Sequence, residues 1–226
     1  MFFAATKAFS QLFTPGFRSV LFKSLGLTIA LLIGAVVALT TLFGALTTLP
    51  GWAEWTVQIL GGLGLVIGSV FLVGPITGLI ASLYLDDVAE QIERVDYPSD
   101  PEGRPLGTLQ GLKLSLKFGL LVVGVNILVL FLLLIPGINI MAFYVANGYL
   151  LGREYFELAA LRYLPLSDAQ ALRKDNRLRV FLSGVMIAGM VSVPLLNLLT
   201  PLFATAFMVH TVKSVMRYRS TSTTKS

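Results

Sequence analysis

The chain contains no cysteine, which excludes disulfides and thiolate metal sites. Histidine occurs once, at His210. A single His on an apolar stretch is far more often a packed or interfacial side chain than a base. Charge is scarce: Asp, Glu, Lys and Arg make up 13% of the 226 residues, against about 25% in a soluble domain. No Lys or Arg stands between Lys23 and Arg94. A Walker A sequence is missing, so nucleotide hydrolysis on this chain would not drive any process. The G-x-S-x-G elbow is missing too, and Ser183, Ser192 and His210 fall on one apolar segment, a poor layout for an intramembrane serine hydrolase. No enzyme, metal or cofactor is expected.

What is there is hydrophobic: 55% of the residues are apolar. The apolar runs exceed the roughly 18 residues that mark a transmembrane helix, and they lack the alternation of a β-barrel. The reading is an all-α integral membrane protein, a single membrane domain over 1–226, with two long transmembrane helices and two Pro-broken, partly inserted helical hairpins. The first apolar run, Ser24 to Leu49, is too long for a signal h-region, and no A-x-A-like site follows it.

Along the chain, residues 1–13 read as a short interfacial helix with Phe2, Phe9, Leu12 and Phe13 near one stripe. Span one covers 24–49. Trp52 and Trp55 follow in an aromatic-belt position. Span two covers 57–85, with Gly64-x-x-x-Gly68 and Gly74-x-x-x-Gly78 spaced for close helix approach and Pro75 placed to bend it. Its helix is expected to continue to about Val95, with Val88, Ile92 and Val95 on one stripe. D-Y-P-S-D-P-E-G-R-P then reads as a linker.

Segments 118–152 and 180–212 are each interrupted, by I-P-G-I-N and V-P-L-L-N. The shared pattern apolar-Pro-x-x-Asn is a weak internal repeat. Each half is short for a full crossing and the breaks are apolar, so each segment reads as a hairpin that enters the membrane and returns. Four ordinary short spans are the competing reading. Residues 153–179 form two polar helices broken at Leu164-Pro165, with Ser167 and Gln170 as a capping box.

If spans one and two cross and the hairpins return, all 17 Lys and Arg lie on one side. The positive-inside rule makes that side cytoplasmic, both termini included. The net charge of +5 is an orientation signal and a lipid-headgroup contact rather than a mark of nucleic-acid binding.

One stretch carries chemistry: T-P-G-F-R-S-V-L, Thr14 to Leu21. Thr14 suits an N-cap and Pro15 the first helical position. The backbone N–H groups of Gly16 and Phe17 would then point out of a helix end, a ready anion site. Arg18 stands where the helix dipole disfavours a cation. A bound oxyanion explains it through a charge-assisted, bidentate contact, with the Ser19 hydroxyl beside it. The competing reading is a positive-inside anchor on lipid phosphate. Asn126, Asn139, Asn147 and Asn197 lie in apolar segments, as glue between helices or as pathway groups. Asn139 and Asn197, at the hairpin breaks, are the pathway candidates.

Several of these motifs resemble the CysZ-type sulfate permease family of bacteria, part of a superfamily with the etoposide-induced membrane proteins of eukaryotes. The resemblance rests on P-G-F-R, on G-P-I-T-G-L-I-A with its acidic helix, on the Pro-broken segments, and on G-R-E-Y-F-E-L-A-A-L-R with L-R-K-D-N-R. It covers most of the chain. In that family a Gly-Leu-Arg or Gly-Leu-Arg-Arg sequence is associated with sulfate. Gly16, Phe17 and Arg18 match it, and Ser19 stands where the second arginine would be. The resemblance implies a sulfate or related oxyanion permease of the bacterial inner membrane, serving cysteine synthesis and assembling as a homo-oligomer among membrane lipids. The alternative is a non-transporting membrane scaffold that binds anionic lipid and a partner protein.

Overall fold

The computed structural model describes residues 1–46, 51–105, 121, 124–125 and 139–223. Every regular element among them is helical. The helices are α1 (Phe2–Gln11), α2 (Pro15–Leu46), α3 (Gly51–Ser82), α4 (Leu85–Asp96), α5 (Asn139–Leu161), α6 (Leu166–Asp175), α7 (Arg177–Val191), α8 (Pro194–Asn197) and α9 (Thr200–Thr223). They divide into two compact units, Arg18–Tyr84 and Met1–Phe17 with Leu85–Ser226.

The first of these holds most of α2 and all of α3. Over Pro15–Leu42, α2 is long and apolar enough to cross a membrane. Those 28 residues reach about 42 Å at 1.5 Å each, beyond the roughly 30 Å of a bilayer core. Leu27, Ile29, Leu31, Ile33, Val37, Leu39 and Leu42 are exposed, as a lipid-facing helix requires. Ser24, Thr28 and Leu32 are buried, and their i, i+4 spacing sets them on one stripe. Thr28 donates to its own helix at Ser24 O and accepts from Thr77 of α3 at 3.1 Å.

The helix of span two does not continue unbroken to Val95. It ends at Ser82, turns at Leu83–Tyr84, and α4 starts afresh at Leu85, with Asp86 and Asp87 in its first turn, where the dipole favours them. α4 buries Val88, Ala89, Ile92 and Glu93, while Val95 is exposed. The buried stripe therefore lies one residue round from the expected one.

The second unit is built on α9, whose residues Thr200 to Lys213 are all buried. α1, α4, α5 and α7 pack against it. α1 offers Ala4, Ala5, Ala8 and Leu12 to the interior and leaves Phe2, Phe3, Phe9 and Phe13 exposed. Leu12 is thus parted from the phenylalanines, because the alanine face is the one that admits close packing.

Helices α5 and α7 approach at Gly148, Gly152 and Gly184. A Cβ on Gly184 would overlap the Gly148 carbonyl oxygen and the Gly152 backbone, and one on Gly152 would overlap the Val180 carbonyl. Gly64 and Gly68 of α3 have open space around them. Close approach is made by a glycine pair in α5 that the sequence reading passed over.

The V-P-L-L-N break is present: Val193 is extended, α8 is one short turn, and α9 begins at Thr200. The 15 residues of α7 reach only about 22 Å. Most of segment 118–152, with Asn126 and the I-P-G-I-N break up to Ile138, lies outside the described residues. From Asn139 onward α5 runs unbroken through 152 to Leu161, absorbing the first of the two polar helices. The Ser167/Gln170 capping box does not form. Pro165 is the N-cap of α6, and Ser167 bonds the neighbouring Asp168 instead.

Candidate functional site

The start of α2 is where the sequence expects it, at Pro15. Thr14 precedes it, its hydroxyl donating to Gln11 O at 2.7 Å. Phe17 is 2% exposed, so its ring anchors the first turn while its N–H remains among the donors a helix start leaves free of intrahelical partners. The carboxamide of Gln91 lies against Gly16, in the space a side chain there would take. Arg18 and Ser19 are exposed. These four candidates therefore share one helical turn, with Phe17 turned inward and Arg18 and Ser19 outward. Gln91 was not a candidate; nothing in the sequence singles it out. Asn139 is the first residue of α5, and Asn197 the half-buried last residue of α8. Asn147 caps back onto its own helix at Phe143 O.

Among the described residues the densest polar chemistry lies elsewhere, around Arg162, Glu93 and Tyr163. Arg162 and Glu93 are 7% and 3% exposed. Arg162 Nε donates to Glu93 Oε1 at 2.8 Å, and its Nη1 pairs with Asp86. The Tyr163 hydroxyl donates to Glu93 Oε1, and the Gly103 N–H to Glu93 Oε2 at 2.9 Å. Arg104 N–H donates to Arg162 O at 2.8 Å. Burial pushes the Glu93 carboxyl up, but the bonds from Arg162, Tyr163 and Gly103 outweigh it and hold the pKa below its ordinary 4.5. A Cβ on Gly103 would meet Glu93 Oε1 at 2.6 Å, so the strap 97–105 can lie this close only with glycine there.

A second network joins α1, α4 and α9. Asp96 takes Lys7 Nζ at 2.8 Å and Gln11 Nε2 at 2.5 Å. That bond fixes the Gln11 amide, because its oxygen turned toward Asp96 would be repelled. Gln11 Oε1 is then an acceptor for His210 Nε2 at 3.0 Å, which leaves Nδ1 to accept from the Tyr97 hydroxyl at 2.8 Å. His210 is thus a structural tie, with both nitrogens taken up. Ser183 is buried with no hydrogen-bond partner among the described residues, and Ser192 bonds Ala188 O and Tyr144. No nucleophile–base pair forms from them. Lys213 reaches Pro101 O at 3.2 Å and sits 4.3 Å over the Tyr163 ring. Glu157 of α5 takes both Arg153 and Arg173.

These side chains are legible in the sequence only as charges on polar helices. Charge patterning announces a solvated face; it does not announce partners 69 residues apart. Among curated proteins, no relative matches the chain. A family model does match, over residues 4–201, and its description is sulfate transporter CysZ/etoposide-induced protein 2.4. The match takes in the start of α2, the acidic α4, the Arg162 cluster and the broken α7–α8 segment, and the chain belongs to that family of membrane proteins.

Proposed function

We propose that the chain is a sulfate or related oxyanion permease of the bacterial inner membrane, supplying sulfate for cysteine synthesis. Membership of the sulfate transporter family over residues 4–201 carries this reading. The anion binds at the first turn of α2, whether for entry, exit or regulation. The Gly16 and Phe17 N–H groups and the positive end of the helix dipole face the anion, Arg18 supplies the planar fork, and Ser19 adds a hydroxyl. The exposure of Arg18 and Ser19 beside a buried Phe17 supports it. Asn139 and Asn197 line the path through the broken, partly inserted segments. The one-sided Lys and Arg support a cytoplasmic location for both termini, and the protein works as a homo-oligomer.

The test is sulfate flux into proteoliposomes, compared with chloride and phosphate, joined to sulfate calorimetry on Arg18 variants. A charged hydrogen bond of roughly 1.5 to 3 kcal/mol makes Arg18→Ala bind sulfate about tenfold to a hundredfold more weakly. Arg18→Lys recovers part of that loss, since charge returns without the fork. No selective sulfate flux, with equal affinity in all three proteins, would overturn the proposal.

A further inference from the structure

A cavity of about 300 Å³ opens within the second unit, lined by Met1, Phe3, Tyr97, Arg179, Ser214 and Arg217 among others. That volume is at the low end of ligand cavities. Among the described residues its lining contains two arginines and no carboxylate. The nearby acids are engaged elsewhere: Asp96 takes Lys7, and Asp100 takes Arg217 at 3.0 Å and Lys213 at 3.5 Å. His210 and Thr211 also line it, but the His nitrogens hold Tyr97 and Gln11, and the Thr211 hydroxyl donates to Phe207 O. The inward-available donors are therefore Arg179 and Ser214.

Arg179 is the informative one. It is half-buried, and no ion pair or hydrogen bond holds its guanidinium among the described residues. A partly desolvated cation is costly without a partner. It also stands in the first turn of α7 (Arg177–Val191), where the helix dipole opposes it. Both costs disappear if an anion occupies the cavity.

We propose that this cavity is a second oxyanion site, taking a tetrahedral phosphate- or sulfate-type group, free or carried on a lipid headgroup. Arg179 is its principal ligand, with Ser214 as a hydroxyl donor. His210, Thr211, Ser214 and Arg217 lie beyond residue 201, where the family match ends. Arg18 is not among the described residues that line the cavity.

The chain's lack of cysteine supplies the test. Ser214→Cys places a single thiol on the exposed lip of the cavity. Its reaction with the neutral, membrane-permeant N-ethylmaleimide is timed in phosphatidylcholine vesicles. Slowing by sulfate or inorganic phosphate, relative to chloride at equal ionic strength, identifies a free oxyanion. Slowing on adding phosphatidic acid to the vesicles, without added ion, identifies a headgroup. In either case Arg179→Gln should raise the half-protecting concentration about tenfold or more, Arg179→Lys should restore part of the protection, and Arg18→Ala should leave it intact. The proposal is overturned by a rate indifferent to all three anions, by protection that survives both Arg179 variants unchanged, or by protection lost with Arg18→Ala.

Discussion

Helices α2 and α9 make an instructive pair. Both are long and apolar, yet Leu27 to Leu42 of α2 present one exposed aliphatic side chain after another, whereas α9 is buried from Thr200 through Lys213. In the α2–α3 unit the hydroxyls of Thr28 and Thr77 make one buried contact across the two helices. The unit around α9 is tied by ion pairs between residues far apart in sequence: Arg162 with Glu93, Lys7 with Asp96, Arg217 with Asp100. Apolar composition alone therefore does not say which helix meets lipid. The difference lies in what the neighbouring segments bring: alanine faces and buried charges in one unit, exposed aliphatic side chains in the other.

That contrast can be broken most severely at Arg162. Arg162→Ala leaves Glu93 as a buried, half-partnered carboxylate, and removing one member of such a pair costs about 3 to 5 kcal/mol. Thermal unfolding followed by circular dichroism should show the loss. A variant as stable as wild type would mean the cluster is solvated. Next comes the glycine contact. Gly184→Ala forces α5 and α7 apart against backbone atoms that cannot yield, at about 1 to 3 kcal/mol or more. Gly64→Ala, in open space, should be neutral or slightly stabilising. Equal effects at the two sites would erase the distinction between the units.

Acid should act on one side of the comparison. The Glu93 carboxyl is held below its ordinary 4.5 in the folded chain. Folding is thus favoured by its ionised form, and that stability is present above pH 4.5 and lost as pH falls through the lower folded value. The melting temperature of wild type should drop in that range. Glu93→Gln should flatten the profile there from a lower starting stability, and an unaltered acid limb in that variant would sink the assignment. The smallest effect is expected at Thr77→Val, which removes one hydroxyl contact between α2 and α3. Such contacts average about 0.6 kcal/mol in membranes, so unfolding should barely shift.

Much of this architecture was legible from residues with local consequences. Pro15 begins α2, Val193-Pro194 breaks the last apolar segment, and Leu164-Pro165 ends one polar helix before the next, because proline acts on its own backbone. The candidate turn Gly16–Ser19 was found for the same reason. What depended on partners was not legible. Gly64-x-x-x-Gly68 and Gly148-x-x-x-Gly152 look alike as text, and only the presence of Gly184 opposite the second pair gives it a use. Val95 fits the periodic stripe of α4 but is exposed, since Arg162 draws the Glu93 side inward. Gln91 and Arg179 were missed for want of any motif.

The strap 97–105 has a practical consequence. Rich in proline and polar residues, Y-P-S-D-P-E-G-R-P is where an engineer would insert an epitope tag or a protease site. Its Gly103 and Arg104 amides are nonetheless bonded to Glu93 and Arg162, and its Pro101 carbonyl to Lys213. Those amides should exchange slowly with deuterium, and an insertion between Asp100 and Arg104 would pull three fastenings at once. As a place to cut or label the chain, this loop behaves as part of the core.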